Sequence, residues 1–482
     1  MEAPGAYTGM LWEYGPTDQC YINTTVEAPC QQGYVPQYSV NASSIKDIQT
    51  AVRFANKHDL YLVIKNTGHD HLGRSSGGNG FSIWTHYLKG RTWHDSFVPV
   101  NAPKDVSGQP AVTLQAGEQW VDVYHAAATE RRIVVGGHAR TVGSAGGWLT
   151  GGGHSAWSNI YGLGIDNVLE VDVITPTGEL VTLNPYTNQD HFWAIRGGGG
   201  CAFGIVTHVT YKTHPEPDHI QAVLVQVNAT TNETLKEALS ATLKALDIAT
   251  AAGYTGYGYI NQLNTESLFP AGFGAILLKP NGDDESFFAA AAPFLKINNS
   301  NGISSLAFPL IYPRWIDYIN VYLTDQNIAQ NVVDASRLLT PSVIHNETAN
   351  EALVDMMIEH GAGLNFIGRV NTTGRSNTAV HPAWAESIGV LSFGTNWEDE
   401  APFEEKQFKR QLLVAQSERL GEIFGPTGGT YINEANPFEP DWQNVFWGSN
   451  YARLLGIKRS IDPTNLFVCN RCVGTDIVFE AS

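Results

Sequence analysis

Positive charge is what this chain has least of: 29 lysines and arginines stand against 47 aspartates and glutamates, a net charge of −18. Binding a polyanion needs a basic patch, so nucleic acid is excluded as a partner, and anionic membrane surfaces are disfavoured with it. No apolar run approaches the length that spans a bilayer. The opening Met1-Glu2-Ala3-Pro4 has neither a basic start nor an apolar stretch, so no signal peptide is present. Cysteines number only five, and Cys469 and Cys472 alone have C-x-x-C spacing, so no second pair completes a four-ligand zinc site. That pair reads as a disulfide or two buried thiols. Cys20 and Cys30 bracket a short polar loop as a surface disulfide would, and Cys201 is left over. Several signatures are missing too. There is no G-x-G-x-x-G between a strand and a helix, no Walker A lysine loop and no H-E-x-x-H. No metal ligand set is legible, because His69-Asp70-His71 has no carboxylate or cysteine cluster to complete it.

What is abundant is glycine, 48 residues in 482. The length exceeds what one core usually supports, so two lobes are expected. Seven Asn-x-Ser/Thr sequons, at Asn23, Asn41, Asn228, Asn232, Asn298, Asn346 and Asn371, fit a secreted glycoprotein whose leader is absent from this sequence.

Leu60–Lys65 is apolar and β-branched enough for a buried strand. It runs into Asn66-Thr67-Gly68-His69-Asp70, a loop whose backbone N–H groups suit a diphosphate. A helix with Ile45, Ile48, Val52 and Ala55 on one face precedes it, capped by Ser43-Ser44. Strands are expected at Phe81–Trp84, Ala111–Ala116 and Arg132–Val135, with a helix carrying Trp120, Val123, Tyr124 and Ala127. Residues 136–164 are dense in glycine but interleaved with Val142, Trp148, Leu149, Trp157, Tyr161 and Leu163, which a flexible linker lacks. This is a packed glycine loop wrapped on a ligand. Val168–Ile174 and Leu180–Leu183 form a hairpin, His191–Arg196 a short helix, and Gly204–Thr210 a strand.

From Ile220 strands (Ala222–Val227, Tyr254–Ile260, Gly272–Leu278, Leu364–Val370, Ile388–Phe393) alternate with helices. The helices are Glu233–Ala249, Glu285–Leu295, Gln326–Leu338, Glu351–His360 and Phe403–Phe424. The expectation is an α+β fold whose second lobe is an antiparallel sheet covered by helices. Thr430–Glu434 reads as its last strand, Asn450–Ser460 as a helix and Leu466–Val468 as a closing strand. Gly73-Arg74-Ser75-Ser76-Gly77 matches the hydrolase elbow G-x-S-x-G, but no strand leads directly into it.

The segments NTGHD, TVGSAGGWLTGGGHS, YGLGIDNVLEVDVITPTGEL, FWAIRGGGGCAFGIVT and NYARLLGIKRSIDPTNLF, in this order, resemble the FAD-linked oxidases of the vanillyl-alcohol oxidase superfamily, specifically the fungal secreted members of the berberine-bridge-enzyme-like group. The resemblance implies a PCMH-type FAD-binding domain in residues 1–213, a substrate domain in 214–440 and a segment 441–482 returning to the first. It implies a covalent bond from His69 to a ring methyl of the flavin. Asn66, Thr67, Gly68 and Asp70 then seat the pyrophosphate. Gly143, Ser144, Gly147, Gly151, Gly152 and His154 line the isoalloxazine and ribityl chain, and Gly162, Asp166, Asn167, Val168, Ile205 and Val206 hold the adenosine side. Many members tether the flavin a second time, from a cysteine. Ala139 occupies that position here, so a single link and a less oxidising flavin are expected.

The family's Y-x-N-Y run reads Tyr431-Ile432-Asn433-Glu434, which makes Tyr431, Asn433 and Glu434 the catalytic candidates. Strand alternation sets Tyr431 and Glu434 on opposite faces, leaving the base open between them. Tyr161, Tyr257, Tyr259 and Trp315 are candidate pocket walls. The implied reaction is hydride abstraction from an alcohol-type carbon of a sugar or secondary metabolite, with oxygen giving hydrogen peroxide. The alternatives are a biosynthetic dehydrogenase or cyclase that reacts poorly with oxygen, and a glycan-binding protein on the same scaffold.

Overall fold

The computed structural model describes residues 33–262, 271–297, 302–323, 331–370 and 377–478. The Cys20–Cys30 loop and the sequons at Asn23, Asn298 and Asn371 lie outside them.

The chain begins with a parallel three-stranded sheet, Phe81–Trp84 between Tyr38–Asn41 and Leu62–Lys65. Helix Ile45–Lys57 starts at a capping box between Ser44 and Asp47 and buries Ile48, Ala51, Val52 and Ala55. A second sheet is antiparallel, in the order Arg91–Phe97, Gln109–Gln115, Ile205–Lys212, Val168–Ile174, Leu180–Leu183. Its first strand, RTWHDSF, is too polar to be read from pattern. The strand expected at Arg132–Val135 shrinks to Arg132–Ile133, paired with His214–Pro215.

The third sheet has seven antiparallel strands, in the order Ile303–Tyr312, Ile220–Ala229, Gly272–Pro280, Thr255–Asn261, Ala362–Phe366, Gly389–Asn396, Val332–Leu339. Its two faces have different partners. Val223, Val225, Val227, Leu277 and Leu391 point into a core shared with helices Asn232–Ala251, Asp284–Leu295, Glu347–His360 and Phe403–Phe424. The alternate residues Ala222, Ile276, Leu278, Leu338 and Val390 join the core that contains the glycine-rich stretch and the second sheet. The sheet is thereby bolted to the part of the chain that carries the His69 loop.

Three expectations are corrected. Within the stretch read as a helix from Gln326 to Leu338, the described part is the edge strand Val332–Leu339, paired along its length with Gly389–Asn396; sheet pairing outweighs its helical spacing. Leu466–Val468 is not a strand: the Asp462 carboxylate accepts from the Leu466 and Phe467 amides, satisfying that backbone without a ladder. Thr430–Glu434 is not a strand either, but an extended approach into a 3-10 turn at Ile432–Glu434.

Helix Tyr451–Ile461 lies against helix Gln189–Ile195, with Arg453 over the Trp193 ring at 3.9 Å and Lys458 Nζ donating to Ala202 O at 3.1 Å. Cys469 and Cys472 form a buried disulfide, both sulfurs beside Gly200 O.

Candidate functional site

The loop after Leu62–Lys65 is held at both ends. Asn66 Nδ2 donates to Ala116 O at 2.5 Å, and Trp84 Nε1 donates to Asn66 O at 2.8 Å. Gly68 takes φ +93°, a conformation closed to most side chains, and this sets His69 behind it. His69 Nε2 lies 2.7 Å from Thr141 Oγ1. Burial, with the neighbouring His71, lowers the His69 pKa to about 4, so its imidazole is neutral at physiological pH. Asp70 accepts from Arg74 Nε at 2.7 Å and from the Arg74 amide at 2.5 Å.

This loop forms one wall of a cavity of about 250 Å³. Asn66, Thr67, Gly68, His69 and Asp70 line it, as do Gly143, Gly147, Ile205, Val206, Tyr431, Asn433 and Glu434. The 3-10 turn explains why the last three converge. In such a turn residues i and i+3 eclipse, so Tyr431 and Glu434 face the same space where a strand would have opposed them. Asn433 Nδ2 donates to Tyr431 Oη at 2.7 Å and to Trp148 O at 3.1 Å. Glu434 receives His154 Nε2 at 2.9 Å on one oxygen and Asn365 Nδ2 at 3.1 Å on the other.

These surroundings move the two candidate bases apart. Burial, with the Glu434 charge nearby, pushes the Tyr431 phenol up, so it stays protonated. Burial alone would raise Glu434, but His154, His71 and Asn365 outweigh it and hold the carboxyl below its ordinary value. The carboxylate is the group equipped to accept a proton.

Other expected residues serve the cavity from outside its lining. Ser144 Oγ donates to Glu118 O, and His154 holds Glu434 from behind. Gly151 lies so close to Asn433 that an added Cβ would sit 2.3 Å from Asn433 Oδ1. Gly152 has φ +128° beside Tyr431. The Gly162–Val168 segment is set apart as a self-satisfied turn. Leu163 N donates to Asp166 Oδ2 at 2.9 Å, Asn167 Nδ2 to Tyr161 O and Leu163 O, and His214 Nε2 lies 2.8 Å from Asn167 Oδ1.

None of the four expected wall aromatics lines the cavity. Tyr161 stacks on His214 at 3.5 Å, Tyr257 stacks on His138 at 3.8 Å, and Trp315 is core beside Trp157 and Tyr318. Tyr259 shares a strand face with Tyr257 but is 66% exposed.

Sequence reading passed over His71, Arg74 and Cys201, which also line the cavity. His71 Nδ1 lies 2.7 Å from Asp334 on the edge strand of the large sheet. Burial opposes its protonation, yet the bond to Asp334 raises its pKa. In the sequence Arg74 and His71 stand inside patterns that point to other chemistry, a hydrolase elbow and a metal-binding H-x-H. Cys201 is a half-buried free thiol whose pKa burial pushes up to about 12, so it stays protonated at neutral pH.

The cavity fits a large, flat, hydrogen-bonding ligand. Among the described residues, Asn66 Oδ1 and Arg74 Nη1 are buried in its wall without a hydrogen-bond partner, and a Cβ on Gly147 would meet nothing within 4 Å. Residues 36–184 match the family described as FAD binding domain, and residues 430–473 match Berberine and berberine like. These two matches contain the two walls just described. An uncharacterized FAD-linked oxidoreductase of Arthroderma benhamiae is 53% identical, over 99% of this chain and 84% of that protein.

This chain belongs to the FAD-linked oxidoreductases. The structure agrees. The VAO-type flavoprotein MtVAO713 of Myceliophthora thermophila superimposes with a TM-score of 0.89, at 27% identity, over 98% of this chain and 86% of that one. Glucooligosaccharide oxidase of Acremonium strictum, which carries a 6-S-cysteinyl, 8α-N1-histidyl FAD, shares the fold at a TM-score of 0.74 and 20% identity, over 93% of each chain. The α+β, PCMH-type architecture expected from the resemblance is therefore that of this FAD-linked oxidoreductase.

Proposed function

We propose that this enzyme removes hydride from an alcohol-type carbon of a sugar or secondary metabolite and passes the electrons to oxygen, giving hydrogen peroxide. The observation that carries this reading is the Glu434 carboxylate, held ionised in the same cavity as the neutral His69 imidazole. FAD, when bound, supplies hydride acceptance and oxygen reduction. The chain's own task is to position the alcohol and take its proton. Glu434 accepts the hydroxyl proton as the C–H bond is lost and the C=O forms. His154 and Asn365 hold both carboxylate oxygens in place and steady the charge before transfer. Tyr431, protonated and fixed by Asn433, donates a hydrogen bond to the substrate oxygen.

His69 is the tether in this proposal, because its neutral imidazole is the nucleophilic form. A second link has no sulfur to form it. Ala139 stands in the cavity wall, and the Cys201 thiol is protonated. The partners are thus a small-molecule substrate and oxygen. Extracellular operation is part of the same proposal. It is supported by the sequons and the Cys469–Cys472 disulfide, and no helix among the described residues is long and apolar enough to cross a membrane.

The test is an absorbance spectrum of the purified holoprotein before and after acid precipitation, followed by a peroxide assay over sugars and metabolite alcohols. Flavin that pellets with the wild type, and moves to the supernatant in His69→Ala, is the expected result. A colourless folded protein overturns the reading. Anaerobic reduction of the flavin by a substrate that yields no peroxide in air replaces the oxidase with a dehydrogenase.

A further inference from the structure

Arg74 is the charged group in the cavity that the proposed chemistry leaves unused. Its side chain is 3% exposed. A guanidinium has five N–H donors in a rigid fork, and two of its three nitrogens are taken here. Nε and Nη2 reach Asp70, and Nη2 also reaches Asn433 Oδ1 at 3.1 Å. Nη1 is buried and has no hydrogen-bond partner among the described residues.

A buried charged donor without an acceptor is costly, because it has given up its hydration without replacement. The surrounding backbone keeps that donor open. A Cβ added at Gly199 would come within 3.4 Å of Nη1 and 3.0 Å of Ile432 Cδ1, and Gly199 and Gly200 both line the cavity. Any larger residue at 199 would fill the space in front of the nitrogen. The arginine is also not free to swing away, since Asp70 grips it from the His69 loop and Asn433 from the catalytic turn. Those contacts tie together the two walls that come from opposite ends of the chain.

We propose that Arg74 Nη1 binds the pyrimidine edge of the isoalloxazine and holds the negative charge that gathers at N1 and the C2 carbonyl when the flavin is reduced. This deepens the reading above and rests on FAD occupying this cavity. The ring is favoured over the diphosphate by position. Nη2 is bonded to Asn433, which is bonded to Tyr431, so the guanidinium stands at the catalytic end of the cavity. The backbone donors suited to a diphosphate lie in the Asn66–Gly68 loop. A fixed cation aimed where charge develops acts without reorganisation in a site of low dielectric. Asp70 keeps the guanidinium ionised and oriented, so the pair presents one directed donor set to the ligand.

Sulfite tests this without turnover. It adds to N5 of oxidised flavin: the sulfur lone pair forms the N5–S bond, and the ring takes up the negative charge at N1 and C2. The holoenzyme is titrated with sulfite and bleaching of the flavin band is followed. Arg74→Met should weaken sulfite at least tenfold, corresponding to a fall of about 30 mV in a two-electron couple. Arg74→Lys should fall between, because an ammonium keeps the charge and loses the fork. Unchanged sulfite affinity in Arg74→Met with FAD retained overturns the proposal. Where Arg74→Met does not fold or retain FAD, Arg74→Lys decides. Weakened sulfite binding supports the ring assignment; wild-type sulfite affinity with weaker FAD retention assigns Nη1 to the diphosphate and overturns it. A substrate panel in which no alcohol is oxidised overturns the proposed reaction while leaving the sulfite result standing. A colourless wild type overturns both.

Discussion

Glu434 shows how a residue's role is set by what surrounds it rather than by its type. Buried carboxyls ordinarily rise in pKa, but two histidines and the Asn365 amide reverse that trend here. Glu434→Gln keeps the size and the hydrogen bonds to one side while removing the proton acceptor. It should leave FAD bound and slow anaerobic flavin reduction by roughly 10²–10⁴-fold, the range of one general base, in stopped-flow traces of the flavin band. The pH profile follows from the direction of the shift. With its folded pKa below the ordinary 4.5, Glu434 remains a carboxylate down to acidic pH. The reduction rate should therefore hold through neutrality and fall only as pH drops through that lowered value. A rate that climbs with an alkaline midpoint instead would return the base to Tyr431. In stability terms the same carboxylate contributes above its unfolded pKa and loses that contribution as pH falls through the folded one.

At the scale of elements, the 3-10 turn at Ile432–Glu434 and the edge strand Val332–Leu339 both depart from their sequence pattern, and they touch. Ser336 Oγ on the strand donates to Glu434 O at 2.6 Å. Next to it, Arg337 binds Glu439 through both guanidinium ends at 3.0 Å, with the two side chains 2% and 3% exposed. This ion pair ties the strand to the chain just after the Ile432–Glu434 turn. Arg337→Ala would strand the Glu439 charge in the interior, at a cost of about 3–5 kcal/mol. A chemical denaturation midpoint that barely moves would show the pair to be dispensable. Pattern failed at this strand because VVDASRLL carries helix-compatible spacing and a buried arginine, and only pairing with Gly389–Asn396 decides its state.

Across the whole molecule, burial of histidine imposes a pH dependence on stability. His69 and His381 are lowered to about 4, His138 and His214 to about 3, each chiefly by burial. The unfolded chain takes protons on these groups below about 6.5 while the folded chain does not until far lower. Stability should then fall as pH drops from about 6.5 toward 4, and His71, with its raised pKa, opposes this only in part. Melting temperature measured from pH 7.5 to pH 5 should decline, and a flat curve would contradict the neutral state assigned to these imidazoles. The seven-stranded sheet unites these effects. One face is sealed by helices and the other rests on the glycine-rich core.

The sequence by itself determined the family, the α+β class, most strands and helices, and the His69 loop with Tyr431, Asn433 and Glu434. These are local patterns: apolar periodicity, glycine density and short motifs in order. Only the tertiary structure decided which glycines line the cavity, that Gly162–Asn167 is a self-bonded turn, and that Tyr161, Tyr257, Tyr259 and Trp315 stand outside the cavity. It also brought in Arg74, His71 and Asp334, whose pairings cross hundreds of residues or two different sheets. The physical reason is that hydrophobic spacing is written along the chain. The direction of a pKa shift, and the direction of an unmatched hydrogen-bond donor, depend instead on which distant groups the fold places against it.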